Sequence, residues 1–135
     1  DGYVNMMSTL KEYQRRDGMW NQLIDQADCW AETCGSAMFT YAIITGIKKG
    51  WLDRTEYTPI ARKAWLALVP YINGEGDVTE VCVGTNKKND KQYYYDRPRA
   101  MVIIMGRLLI YVVSLLFWKN NCFQYLIKHI NTLLR

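Results

Sequence analysis

The apolar stretch Met101–Trp118, MVIIMGRLLIYVVSLLFW, constrains this chain more than any other segment. One charge, Arg107, interrupts it, and the sequence before it, up to Arg99-Ala100, is polar and charge-rich. At face value the stretch has the length and apolarity of a membrane span. A central Arg costs such a span about 2.5–3.5 kcal/mol on insertion scales. A buried core helix is a second reading, and a change of reading frame is a third. Residues 1–100 and 101–135 are therefore read separately.

The chain has 135 residues, enough for one globular domain or a piece of a larger one. Its net charge of +4 is small, and Lys and Arg are interleaved with Asp and Glu over residues 11–63. That pattern lacks the clustered basic face of a nucleic-acid binder. Residues 86–99, NKKNDKQYYYDRPR, form the one basic, aromatic run and read as a solvated surface loop. The four cysteines, Cys29, Cys34, Cys82 and Cys122, contain no CxxC, and His129 is the one histidine. No zinc spacing results, so no metal or organic cofactor is expected. Buried free thiols are the expectation, which leaves the redox compartment open. The sequence opens at Asp1 without Met or signal-like regions. It reads as cut at that end, so it assigns no localisation, and nothing in it sets an oligomeric state.

Apolar periodicity organises residues 1–100. Tyr3, Met6, Met7, Leu10 and Tyr13 recur at helical spacing, which predicts a helix over 3–16 stopped by Asp17-Gly18. Met19 to Ile24 read as a short extended piece. A second helix is expected over Glu32–Lys49, apolar on most sides, with Gly50 at its C-terminal cap. A third is expected over Thr55–Tyr71, with Pro59 in its first turn. Asn73–Gly76 form a turn, and Asp77–Val83 alternate like a short strand. The fold class is therefore all-α, built of helix pairs with short strands in the loops. Each pair carries more apolar surface than it covers alone.

Three stretches carry a family resemblance: Tyr13–Asp25 (YQRRDGMWNQLID), Trp30–Asp53 (WAETCGSAMFTYAIITGIKKGWLD) and Val81–Arg99 (VCVGTNKKNDKQYYYDRPR). Together they resemble the unsaturated glycuronyl hydrolases, specifically the unsaturated rhamnogalacturonyl hydrolases of glycoside hydrolase families 105 and 88. The likeness runs almost continuously from Asp1 to about Ala100. It implies part of an (α/α)6 six-hairpin barrel, with residues 1–100 as a C-terminal portion of that domain.

The resemblance also bears on the tail. In this family RPR is followed by a segment of the form x-G-D-x-H-G-Q-A-P, whereas here Arg97-Pro98-Arg99 runs into the apolar stretch. Met101–Leu109 can be encoded ATG GTG ATT ATC ATG GGC AGG CTC CT. One G restored after the first ATG gives ATG GGT GAT TAT CAT GGG CAG GCT CCT, which reads M-G-D-Y-H-G-Q-A-P. Residues 101–135 are accordingly read as an out-of-frame tail, in preference to a membrane anchor or a core helix.

The resemblance implies an enzyme that removes a 4,5-unsaturated uronic acid from oligosaccharides made by pectin (rhamnogalacturonan) lyases. An Asp acting as general acid protonates C4 of the enol ether, water adds at C5, and the hemiketal opens with loss of the glycosidic bond. This differs from the two-carboxylate scheme of ordinary glycosidases. The implied catalytic Asp belongs to the N-terminal half of the family domain, outside this chain. None of Asp17, Asp25, Asp28, Asp77, Asp90 or Asp96 is taken as a substitute, and the isolated chain is expected to be inactive. Asp17 and Asp53 read as ordinary turn residues.

The substrate-binding candidates are wall residues: Trp20, Gln22, Glu32, Thr33, Ser36, Gly84 and Thr85. Trp20 is either a sugar-stacking face or a buried staple between hairpins. The hydroxyls of Thr33 and Ser36 either cap the helix or, with Glu32, contact a sugar, the helix N-terminus favouring an anion. Gly84-Thr85 end a strand beside the basic loop, where Lys87, Lys88 and Arg97 are either solvated or attract a uronate carboxylate. The partner implied is an unsaturated uronic-acid oligosaccharide. The rivals are a non-catalytic helical interaction module and a protein anchored through 101–118.

Overall fold

The computed structural model describes residues 2–102. Three helices carry the core: α1 (Gly2–Glu12), α2 (Thr33–Lys49) and α3 (Arg54–Leu68), the last running into a 3-10 turn at Val69–Tyr71. Strand β1 (Val78–Cys82), a short helix α4 (Lys91–Tyr95) and strand β2 (Arg99–Val102) follow. Residues 103–135, and with them most of the apolar stretch, lie outside the described residues. Among the described residues no helix is long and apolar enough to cross a membrane.

The α2–α3 hairpin forms where its punctuation demands. Gly50 closes α2 in the left-handed conformation at φ 72°, and its N–H returns to the carbonyls of Gly46 and Ile47. Asp53 is more than a turn residue: its carboxylate caps α3 by accepting the N–H of Glu56 at 2.8 Å. Because α3 starts at Arg54, Pro59 lies in the second turn, one turn deeper than the sequence reading placed it. The helix tolerates it on the exposed face, beside Thr55 and Thr58, where water reaches the freed carbonyl. Pro70 ends regular α-helix at Leu68 and tightens the last residues into 3-10 geometry.

The first helix is shorter than its periodicity predicts, ending at Glu12 rather than Arg16. Gln14 instead donates from Nε2 to the carbonyls of Gly18 and Ile60, at 3.0 and 3.1 Å. The Arg15 N–H goes to the Met19 carbonyl at 3.0 Å. These bonds across the molecule replace another helical turn.

The main core gathers Met7, Leu10, Trp20, Ile43, Leu52 and Trp65, among others, where the three helices meet. A smaller cluster joins Met19, Ala37 and Leu68. Gly46 permits the closest approach: a Cβ there would meet the Tyr3 hydroxyl and stand 2.8 Å from Leu52 Cδ1. Tyr3 uses that proximity to donate to the Ala42 carbonyl at 2.8 Å.

Strands β1 and β2 pair antiparallel, Val81 with Ala100 and Cys82 with Arg99. The register slips by one between Val78 and Val81, and Glu80 takes a positive φ of 58° in this bulge. Its carboxylate accepts from Arg99 at 2.6 Å. β2 thus runs across the boundary drawn at residue 100.

Candidate functional site

A recess of about 120 Å3 opens at the N-terminal end of α2. Its walls are Trp20, Asn21, Gln22 and Ile24 from the connection before α2, with Glu32, Gly35, Ser36 and Phe39 from the helix and its cap. Four of the seven candidate residues, Trp20, Gln22, Glu32 and Ser36, therefore meet at one place. Thr33 is buried, Gly84 and Thr85 are exposed, and none of the three lines it.

Glu32 organises this end of the molecule. It is the N-cap of α2, and its carboxylate accepts the N–H groups of Cys34 (3.1 Å) and Gly35. The Cys82 N–H, from the end of β1, reaches the same carboxylate oxygen as Cys34, also at 3.1 Å. One buried side chain thus ties helix, strand and recess together. This corrects two expectations. The cap is Glu32, not the hydroxyls of Thr33 or Ser36. The positive end of α2 is already occupied by that carboxylate, so it is not open to a sugar uronate.

The hydroxyls are committed elsewhere. Thr33 is fully buried and donates to the Thr79 carbonyl at 2.9 Å. Ser36, 1% exposed, accepts the Trp20 N–H at 2.9 Å. Trp20, also 1% exposed, donates from Nε1 to the Leu10 carbonyl at 2.7 Å and meets Phe39 edge-on, ring centres 5.6 Å apart. It is the staple of its two readings, since a ring this covered has no face for a sugar. The partly exposed walls are Gln22, Ile24, Gly35 and Phe39. Of these only Gln22 was a substrate-binding candidate from the sequence. Phe39 lies one turn after Ser36, in the helix that the sequence makes apolar on most sides.

Gln22 donates from Nε2 toward Cys82 Sγ at 3.6 Å. Burial, then the Glu32 carboxylate and the Cys82 thiol, push the Cys34 thiol above its ordinary pKa.

The basic segment after β1 is more structured than a solvated loop. Asp90 caps α4 through the Gln92 N–H at 3.0 Å. The Tyr94 hydroxyl accepts the Lys88 N–H at 3.0 Å, and Lys88 and Arg97 both lie over the Tyr93 ring, at 5.1 and 4.9 Å. Tyr95 donates to Asp28 at 2.7 Å, and this bond pushes its pKa up to about 12.

The sequence profile of Glycosyl Hydrolase Family 88 matches residues 1–116. The chain belongs to that family. It is 33% identical over 78 residues to an unsaturated 3S-rhamnoglycuronyl hydrolase of Formosa agariphila, covering 56% of this chain and 21% of that protein. It is 25% identical over 124 residues to an unsaturated rhamnogalacturonyl hydrolase of Bacillus subtilis (strain 168), covering 89% and 33%. The chain thus spans a third or less of these relatives. Among solved structures, a possible GH105 member from Salmonella enterica superposes with a TM-score of 0.80 at 24% identity, over 87% of this chain and 30% of that one. A family 105 glycoside hydrolase from C. acetobutylicum ATCC 824 gives 0.73 at 21%, over 86% and 36%. These two likenesses establish a shared fold for this portion of the family 88 chain.

Proposed function

We propose that this family 88 chain is part of an enzyme that removes a 4,5-unsaturated uronic acid from rhamnogalacturonan lyase products by hydrating the enol ether. The observation that carries the reading is the family match over residues 1–116, together with relatives named as unsaturated rhamnogalacturonyl and rhamnoglycuronyl hydrolases. In this reading the three helices belong to an (α/α)6 barrel. Met38 and Tyr41 of α2, 55% and 40% exposed here, face neighbouring helices of the rest of the domain.

The recess supports a wall, not a catalytic centre. Its volume is well below the roughly 300–1,000 Å3 of a small-molecule site. Its one carboxylate, Glu32, is engaged by three backbone N–H groups, so it does not serve as proton donor. The acid that protonates C4 comes from outside this chain. Gln22 and Phe39 supply the surface that a sugar touches, and Glu32 acts as a positioning residue for both. Gly84 and Thr85 follow Val83 in the loop that borders this side.

The test is the absorbance of the substrate double bond. The 135-residue chain is expected to leave it unchanged on an unsaturated rhamnogalacturonan disaccharide. A longer product, with upstream coding sequence and the G restored after the Met101 codon, is expected to abolish it. Turnover by the short chain overturns the assignment of the acid, and inactivity of the longer one overturns the substrate. We propose the frame change on the codon argument, and resequencing across Arg99–Val102 decides it. An intact frame returns residues 101–118 to the membrane or core-helix readings. The interaction-module reading draws on the exposed apolar residues Met38, Trp51 and Leu66, and a longer product inactive on every unsaturated uronide would favour it.

A further inference from the structure

We propose that Cys34 and Cys82 are a disulfide-forming pair that ties the end of β1 to the N-terminus of α2. Cys34 lies in the first turn of α2, and Cys82 is the last residue of β1. Their backbone N–H groups donate to the same atom, Glu32 Oε1, each at 3.1 Å, so the two nitrogens stand within twice that distance. A disulfide needs α-carbons about 4.4–6.8 Å apart, a span that a shared acceptor permits. After burial and the Glu32 carboxylate, the Cys82 thiol is the third group that pushes the Cys34 thiol up. Both side chains are partly exposed, whereas Cys29 is 2% exposed in the interior. Nothing in the proposed hydrolysis uses either thiol.

The bond forms by exchange with a low-molecular-weight disulfide such as oxidised glutathione. One protein thiolate attacks the reagent and expels one glutathione thiolate. The other attacks the protein sulfur of the mixed disulfide and expels the second. The two thiol protons end on the two released glutathiones, so the protein is oxidised by two electrons and the reagent reduced by two. The product fixes the start of the loop at Val83 beside the recess and closes a long stretch of chain, which raises stability.

The full chain is incubated with oxidised glutathione at alkaline pH, in buffer and in parallel in urea, then alkylated and digested without reductant. In buffer the Cys34–Cys82 cross-linked peptide is expected to dominate, with Cys29 reduced. In urea pairings with Cys29 and Cys122 are expected to join it. The proposal falls if the buffer sample matches the urea mixture, if Cys34 and Cys82 both remain alkylated, or if Cys82 pairs elsewhere. Oxidation is expected to raise Tm in a way dithiothreitol reverses and Cys34→Ser abolishes. A fall in Tm, or the same rise in that variant, overturns it.

Discussion

The helical core and the segment from Val83 to Arg99 are held by opposite means. In the core, Met7, Trp20, Ile43, Ala64 and Leu68 are all 1% exposed or less, and the Trp20 indole N–H is satisfied by the Leu10 carbonyl. In the segment no residue is buried, and order comes from tyrosine hydroxyls, a capping Asp and cations over rings. The difference teaches where a change will travel. A core substitution acts on the whole molecule, because packed interiors do not yield locally. A change in the segment alters that segment alone.

The largest expected effect is Trp20→Ala. It removes the edge contact to Phe39, orphans the Leu10 carbonyl and opens a cavity between α1 and α2. A loss of about 3–5 kcal/mol is expected, measured by urea unfolding. A loss below the effect of a surface substitution would break the distinction drawn here.

Glu32 sits where the two regions join. Glu32→Ala leaves three N–H groups without their acceptor, one of them on β1, and is expected to cost about 2 kcal/mol. Amide exchange is expected to rise at Cys34, Gly35 and Cys82 together. Glu32→Gln sharpens the point: it keeps the shape but removes the charge, so the Cys34 thiol is expected to titrate lower than in the wild type. Burial, the larger cause, remains, so it stays above its ordinary value. Asp53→Ala removes a solvent-exposed cap within one helix and is expected to cost about 1 kcal/mol, with α3 amides alone affected.

How much of this was legible in the sequence depends on distance along the chain. α2 and α3 follow from local apolar periodicity and from Gly50, all read within one window. The Glu32 cap was not legible. Its residue type is uncommon at that position, and its third donor, Cys82, lies 50 residues away. The stop at Glu12 was missed for the same reason, since Gln14 is held by Ile60. Strand β2 and helix α4 are too short for periodicity, and they exist through pairing with β1 and the Asp90 cap. Trp20 was found but left between two roles, which the Leu10 carbonyl and Phe39 then decided.

The smallest expected effect tests the other side of the comparison. Tyr95→Phe removes the bond to Asp28, which joins the segment to the connection before α2. The hydrogen bond raises the Tyr95 pKa from 10.0 to about 12, and burial adds a lesser push. The sign follows: the native state holds the phenol proton more tightly than an unfolded chain. The contact's contribution is therefore complete below pH 10 and is lost as pH climbs toward about 12. Absorbance titration is expected to contain a late tyrosine component that disappears in Tyr95→Phe and returns toward 10 in Asp28→Asn. Global unfolding of Tyr95→Phe at neutral pH is expected to stay close to wild type, while exchange of the Tyr95 and Asp96 amides quickens. If instead the whole core loses stability with this one hydroxyl, the segment is a structural member of the core and not an attachment to it.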